Sequence, residues 1–329
     1  MKITVLYQSY NQAEFIEESL NAILNQTYKP FEVIMIDDCS SDNSVQILNK
    51  FIDSSKNIKL IANKKNKGTA SHANIGIDEA KGDIIFFAAA DDVTLPNLFE
   101  EAVKNFKKYK DIGLFSAKIM SIDKNGNNLR NPKNPLSFIK EGTYLSPNIC
   151  RKLLTNGGHW FTGQTCLWRV DYLRFHKLRF YEDLKYLLDH YLTINIASKY
   201  GAYFSNKYLG KWRYISTSYA HTNFKFNNAI PAYSSFKEKL LSNFIVKETF
   251  PPHKFLHYYY ISIYENYLID FISNIKLASR ENFFDKIFFI LLFVFLTIFI
   301  MPFLLILKLR RKYLFYKSRL IVSLRDTDS

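Results

Sequence analysis

Along the first third of the chain, short apolar runs alternate with stretches whose apolar residues recur every three to four positions. Residues 3–7, 31–36, 58–62, 84–88 and 113–117 are near-continuous hydrophobic runs of strand length. Between them, residues 14–25, 44–52, 71–80 and 96–109 carry the helical period, the last with Pro96 expected at a first helical position. This alternation predicts an α/β fold, with a Rossmann-like, mostly parallel sheet and crossover helices. Such sheets bind ligands beyond the carboxyl ends of their strands. Asp37 and Asp38 follow the second run and Asp91 and Asp92 the fourth, so both acid pairs are expected on one rim.

Further on, the pattern loosens over 119–147, where KNGNN is a hairpin-turn signal and NPKNP a breaker cluster. Mixed structure returns over 150–220, including a helix over 183–200, and Tyr- and Phe-rich helices follow over 235–285. The expected organisation is a domain over 1–220 (halves 1–118 and 119–220), a helical extension over 221–285 and a distinct region over 286–329.

That last region contains IFFILLFVFLTIFIMPFLLIL at 287–307, uncharged throughout and about 31 Å long as a helix, near the thickness of a hydrocarbon core. Pro302 breaks or kinks such a helix, which favours a re-entrant or interfacial anchor over a simple span. Seven Lys or Arg and no acid lie between Lys308 and Arg325. Within them, YLFYKSRLIVSL has the character of a basic amphipathic helix lying on an anionic membrane surface. The N-terminus enters a strand pattern with no apolar segment of signal-peptide length. The expected location is therefore the cytoplasmic face of the plasma membrane.

Composition narrows the partners. The 329 residues carry a formal net charge of +14, with 48% hydrophobic and 16% aromatic residues. An excess of that size points to anionic partners, but no basic stripe interleaved with stacking aromatics is present, so nucleic acid is not expected. The three cysteines, Cys39, Cys150 and Cys166, make no metal-ligand spacing and suit a reducing compartment.

Two adjacent acids at a strand end are poor core residues and repel each other unless a cation or a hydrogen-bond donor intervenes. Mg²⁺ or Mn²⁺, which takes oxygen ligands and shares them with substrate phosphates, meets that condition at Asp91 and Asp92. A helix cap is the plainer alternative, although Thr94 or Leu95 is better placed to cap the helix expected from Pro96.

Three segments in register carry a resemblance: TVLYQSYNQAEFIEESLNAILNQTY, FEVIMIDDCSSDNSVQIL and NKGTASHANIGIDEAKGDIIFFAAADD. Together they resemble the family 2 glycosyltransferases, which have a GT-A fold, over roughly residues 1–220. The resemblance implies transfer of a sugar from a nucleotide-diphosphate donor, UDP-sugar favoured, with a divalent metal. It places Gln8, Ser9, Tyr10, Asn11, Asp38, Gly68, Asn74 and Asp91 around the nucleotide sugar, and Asp92, with Asp91, at the metal. FYEDLKYLLDHYL lies in the register of the family's catalytic helix and puts the general base at Asp189, with Leu188 where relatives carry a first acid. A solvated helix acid is the alternative reading of Asp189. GKWRYISTSYAH resembles the segment near the diphosphate and offers Arg213, which could equally be a surface-strand residue. His159 and Trp160, in NGGHWFTGQT, fall where the acceptor loop belongs; Trp160 either stacks on a sugar ring or packs the core. The resemblance and the C-terminus together imply an inverting, non-processive transfer to a lipid-linked or membrane glycan, such as a surface polysaccharide precursor. The alternative is a membrane-anchored, non-catalytic glycan- or nucleotide-binding scaffold of the same fold.

Overall fold

The computed structural model describes residues 1–243 apart from 53–55, 133, 135, 156–159 and 216–225, together with residues 309 and 313. The elements run β1 (Ile3–Ser9), α1 (Ala13–Leu24), β2 (Glu32–Asp37), α2 (Ser44–Ile52), β3 (Ile58–Ala62), α3 (Thr69–Glu79), β4 (Ile84–Ala89), β5 (Val93–Thr94) and α4 (Leu98–Lys108). They continue through β6 (Leu114–Ile122), β7 (Gly142–Leu145), α5 (Pro147–Thr155), the 3-10 turn η1 (Gly163–Thr165), β8 (Leu167–Arg169) and α6 (Val170–Phe175). The last described elements are the 3-10 segment η2 (Glu182–Leu187), α7 (Leu188–Tyr200), β9 (Ala202–Arg213) and α8 (Phe226–Ser242).

The strands form one nine-stranded sheet in the order β3-β2-β1-β4-β8-β6-β9-β5, with β7 paired to β9. β1 pairs parallel with β2 and β4, β2 with β3, and β6 with β9. The pairs β4–β8, β6–β8, β5–β9 and β7–β9 are antiparallel. The sheet is thus mixed rather than mostly parallel: beyond β4 the long strands β6 and β9 pair parallel with each other, and the short strands β8, β5 and β7 join them antiparallel.

Period-two alternation in β1 divides the core. Ile3, Val5 and Tyr7 join α1 and α4 residues such as Ile16, Leu20, Phe99 and Phe106 on one face. Leu6 joins Ala73 and Ile77 of α3, Leu192 and Ile196 of α7, and Phe236 and Leu240 of α8 on the other. Each fully buried Leu, Ile or Phe contributes roughly 1.5–3 kcal/mol of transfer free energy. At Gly76 an added Cβ would lie 2.7 Å from Leu6 Cδ2, so α3 presses directly onto β1 only because that position is glycine.

Three boundaries differ from expectation. Pro96 precedes α4 instead of opening it, because its carbonyl accepts the Thr27 N–H (2.9 Å) and hydroxyl (3.1 Å). The helix expected from 183 is interrupted at Lys185 (φ 49°), and regular α-geometry starts at Leu188. β6 runs on to Ile122, into the stretch expected to be loose, and KNGNN then turns with Gly126 at φ 88°. Among the described residues no helix is long and apolar enough to cross a membrane; the apolar run at 287–307 lies outside them.

Candidate active site

The site is assembled at the carboxyl end of β1. Ser9 pairs with Asp37 across the β1–β2 ladder, and Gln8 with Ala89 across β1–β4. One further hydrogen bond on each side fixes where the chain leaves the sheet: Asp38 N donates to Ser9 O (2.9 Å) and Ala90 N to Gln8 O (3.0 Å). The two acid pairs therefore flank β1 on one rim. Between them, Gln8 Oε1 and Ser9 Oγ are buried without a hydrogen-bond partner.

Asp37 and Asp38 are heavily engaged. Asp37 accepts the Ser40 N–H (2.9 Å) and hydroxyl (2.6 Å), which closes the turn through Cys39 at φ 68°. Asp38 accepts backbone N–H groups from Lys67 (2.8 Å) and Gly68 (2.9 Å) and the Asn63 amide (3.1 Å). His72 Nε2 lies 3.1 Å from the same carboxylate, and burial pushes the His72 pKa down. Asp38 thus pins the loop ahead of α3. Gly68, at φ 81° and ψ 157°, makes the turn into that helix.

Asn11 and Asn74 are likewise committed to backbone. Asn11 (φ 52°) accepts from Ser41 N at 2.8 Å, and its own N–H donates to Ser40 Oγ at 2.9 Å. Asn74 uses both ends of its amide on Phe180, accepting from its N–H and donating to its carbonyl, each at 2.9 Å. Tyr10 is 49% exposed at the tip between these turns.

Asp91 and Asp92 are in a different position. Asp91 is buried and receives a hydrogen bond from the Gln12 side chain; Asp92 Oδ1 accepts the Arg213 N–H at 2.9 Å. Burial raises the Asp91 pKa, and burial, followed by the charge of Asp91, raises that of Asp92 well above the usual carboxylate range. Ala89 in front of them is exposed, while Ala88 and Ala90 are buried.

Arg213 is 2% exposed, so it is not a surface-strand residue. Its guanidinium donates to Asp91 O (2.9 Å), Lys124 O (2.9 Å) and Glu18 Oε2 (2.5 Å) and lies over the Phe15 ring. It therefore braces the turn that presents the acid pair, and its charge is spent on protein groups.

Asp189 sits in the first turn of α7. Its Oδ1 is 2.9 Å from His190 Nδ1, and its Oδ2 lies over Gly163 of η1, where an added Cβ would stand 2.2 Å away. η1 connects back to the rim: Thr165 packs against Gly210, and Gly210 pairs with Thr94, two residues beyond Asp92. Trp160 is fully buried, edge-on to Phe161, so it packs the core and is not positioned to stack on a sugar. His159 lies outside the described residues.

Sequence reasoning missed Gln12, Gly163 and His190. Gln12 directly follows the YN pair, and His190 directly follows the expected base, so position beside a motif was the available signal. Among the described residues no group of three or more His, Cys, Asp or Glu gathers around one point.

Comparison with known proteins bears on the family and the fold. The sequence profile described as "Glycosyl transferase family 2" matches residues 4–173, just over half of the chain. An uncharacterized glycosyltransferase of Haemophilus influenzae is 30% identical over 189 residues, covering 57% of this chain and 58% of that protein. The chain spans about half the length of the curated relatives it matches. Among solved structures, S. aureus TarS 1-349 in complex with UDP-GlcNAc superposes with a TM-score of 0.59 at 20% identity, covering 76% of this chain and 71% of that one. The mannosyltransferase PcManGT from Pyrobaculum calidifontis, in complex with GDP-Man and Mn²⁺, gives 0.57 at 18% identity, covering 99% and 88%. At these identities the structural likeness is one of fold.

Proposed function

The chain belongs to glycosyl transferase family 2, and on that premise we propose that it moves a sugar from a nucleotide-diphosphate donor to an acceptor hydroxyl with inversion at the anomeric carbon. The observation that carries this reading is the Asp91–Asp92 pair. Two neighbouring carboxyls, both with raised pKa values, stand at the mouth of a buried strand beside unpartnered polar oxygens of Gln8 and Ser9. An all-oxygen donor set of this kind fits Mg²⁺ or Mn²⁺, with the remaining ligands supplied by substrate oxygens. Asp92 and Asp91 would hold the ion, whose charge would offset the negative charge developing on the departing diphosphate.

The chain's own residues do the rest. Gln8 and Ser9 line the nucleotide pocket, while Asp38 keeps the Asn63–Gly68 wall in place. Asp189 takes the proton from the acceptor hydroxyl as that oxygen bonds to the anomeric carbon. The bond from that carbon to the diphosphate oxygen breaks with its electron pair leaving on the nucleotide. Attack on the face opposite the leaving group inverts the centre. The neighbours that bind UDP-GlcNAc and GDP-Man support a nucleotide-sugar donor, and the Mn²⁺ in one supports the metal; a UDP-sugar remains the favoured donor.

The proposal extends to location. The apolar stretch 287–307 and the basic tail behind it anchor the enzyme at the cytoplasmic face of the membrane, where the acceptor is a lipid-linked or membrane glycan. The test is turnover of a panel of UDP-, GDP- and dTDP-hexoses with Mn²⁺, by wild type and Asp92→Ala. The expected result is metal-dependent release of nucleotide diphosphate from one donor class, lost in Asp92→Ala. A wild type that turns over none of the donors would contradict the enzymatic reading.

A further inference from the structure

The expected base, Asp189, stands without the acid that its relatives carry one position earlier, and Leu188 in that place is buried in the core. The adjacent polar group lies on the other side. His190 Nδ1 is 2.9 Å from Asp189 Oδ1, and the imidazole is half-buried, edge-on to Phe161 with ring centroids 5.1 Å apart. Phe161 is itself almost completely buried and sits two residues before Gly163. An ionised carboxylate can only accept hydrogen bonds, so the imidazole nitrogen facing it carries the proton. The second oxygen, Oδ2, occupies the space above the Gly163 α-carbon that any side chain would fill.

We propose that His190 is a positioning residue for the base, and that with Gly163 it forms a seat fixing the direction in which the Asp189 carboxylate points. His190 holds Oδ1 through a charge-assisted hydrogen bond, and Phe161 keeps the ring from rotating away. Gly163 leaves Oδ2 room beside η1, the turn packed on β4, β6 and β9. The base is thereby tied to the sheet end that carries Asp91 and Asp92 rather than to its own helix alone. A carboxylate must lie within hydrogen-bond reach of the proton it abstracts, and a displacement of about 1 Å can cost about 100-fold in rate. The seat would act on kcat while leaving the donor KM little changed, because the proposed donor contacts are Gln8, Ser9, Asp91 and Asp92 and not the residues of the seat.

This inference rests on Asp189 being the base, so the experiment separates the two claims. Donor turnover with Mn²⁺ is measured for wild type, Asp189→Asn, His190→Leu, His190→Asn and Gly163→Ala, using the best donor of the UDP-, GDP- and dTDP-hexose panel. Thermal melting of each variant reports folding. The expected pattern is near-complete loss in Asp189→Asn and a drop in kcat of about 10- to 100-fold in His190→Leu. Most of the activity should return in His190→Asn, whose amide N–H can replace the imidazole donor. Gly163→Ala should lower kcat with the donor KM retained. If Asp189→Asn is inactive while folded His190→Leu matches wild type, the positioning role is overturned and the base stands. An Asp189→Asn enzyme as active as wild type, or a wild type inactive on every donor, overturns both claims. If His190→Leu and His190→Asn lose activity equally while melting like wild type, the hydrogen bond is not what matters and the inference fails. If both His190 variants unfold, Gly163→Ala decides: a folded variant with unchanged kcat overturns the seat.

Discussion

Two pairs of adjacent aspartates leave the same rim of one sheet, on either side of β1, in opposite hydrogen-bonding environments. Asp37 and Asp38 are surrounded by donors: Ser40, Lys67 and Gly68 N–H groups, the Ser40 hydroxyl and the Asn63 amide all point at them. A buried carboxylate satisfied in this way is scaffold, and its charge organises a loop. Asp91 and Asp92 meet far fewer such groups, the Gln12 side chain and the Arg213 N–H being the principal ones; burial raises both pKa values, and the charge of Asp91 raises that of Asp92 further. The arrangement is costly to the folded chain at neutral pH, and under the proposed function a bound cation would relieve it. Sequence position alone cannot separate the pairs; the supply of hydrogen-bond donors does.

The largest effect that breaks this contrast is expected from Asp92→Asn. Turnover should fall by about 10²–10³-fold, the usual loss when one electrostatic stabiliser of a transition state is removed. Melting without metal should be unchanged or higher, because a repulsive charge is gone. Asp38→Asn should do the reverse, destabilising the fold by about 1–3 kcal/mol through lost charge-assisted bonds, seen as a lower urea midpoint. Its effect on turnover should fall mainly on the donor KM. Gly68→Ala tests the same loop more gently. Its backbone conformation is one that only glycine adopts readily, and an added Cβ would lie 3.0 Å from Glu182 Oε2, so a cost of about 1–3 kcal/mol is expected in the same denaturation assay.

The smallest expected effect is a pH-dependent one. Raised pKa values mean that the folded chain binds protons at Asp91 and Asp92 more tightly than the unfolded chain does. Their contribution to stability is therefore fully present at pH below the unfolded carboxylate range and is lost as pH rises through the folded values. Mn²⁺ competes with those protons. Its stabilisation, read as a shift in Tm of a few degrees, or about 2–4 °C per kcal/mol, should be greatest in mildly alkaline buffer and shrink on acidification.

The parallel half of the fold was legible because β1, β2 and β4 are buried on both faces and read as continuous apolar runs, which places Asp38 and Asp91 on one rim with no further information. β5 and β8 were not legible. Val93–Thr94 and Leu167–Arg169 are too short to show a period and exist as strands only through partners far along the chain. Ala73 is packed into the core cluster that contains Leu6, so the helix face there is structural. Arg213 lies beside the acid pair, but its partners Glu18 and Phe15 lie almost two hundred residues earlier, and no local pattern reveals that its charge is already neutralised. Trp160 stayed open between sugar and core for the same reason: an aromatic in a glycine-rich loop reads alike whether it faces solvent or core.

The central claim is that Asp91 and Asp92, and not Asp37 and Asp38, hold the divalent ion that binds with the nucleotide. Calorimetric titration of Mn²⁺ into protein saturated with UDP, for wild type, Asp92→Ala and Asp38→Asn, tests it most directly. The account predicts one-site Mn²⁺ binding in wild type and in Asp38→Asn, and none in Asp92→Ala. Mn²⁺ binding in Asp92→Ala equal to that of wild type would contradict it.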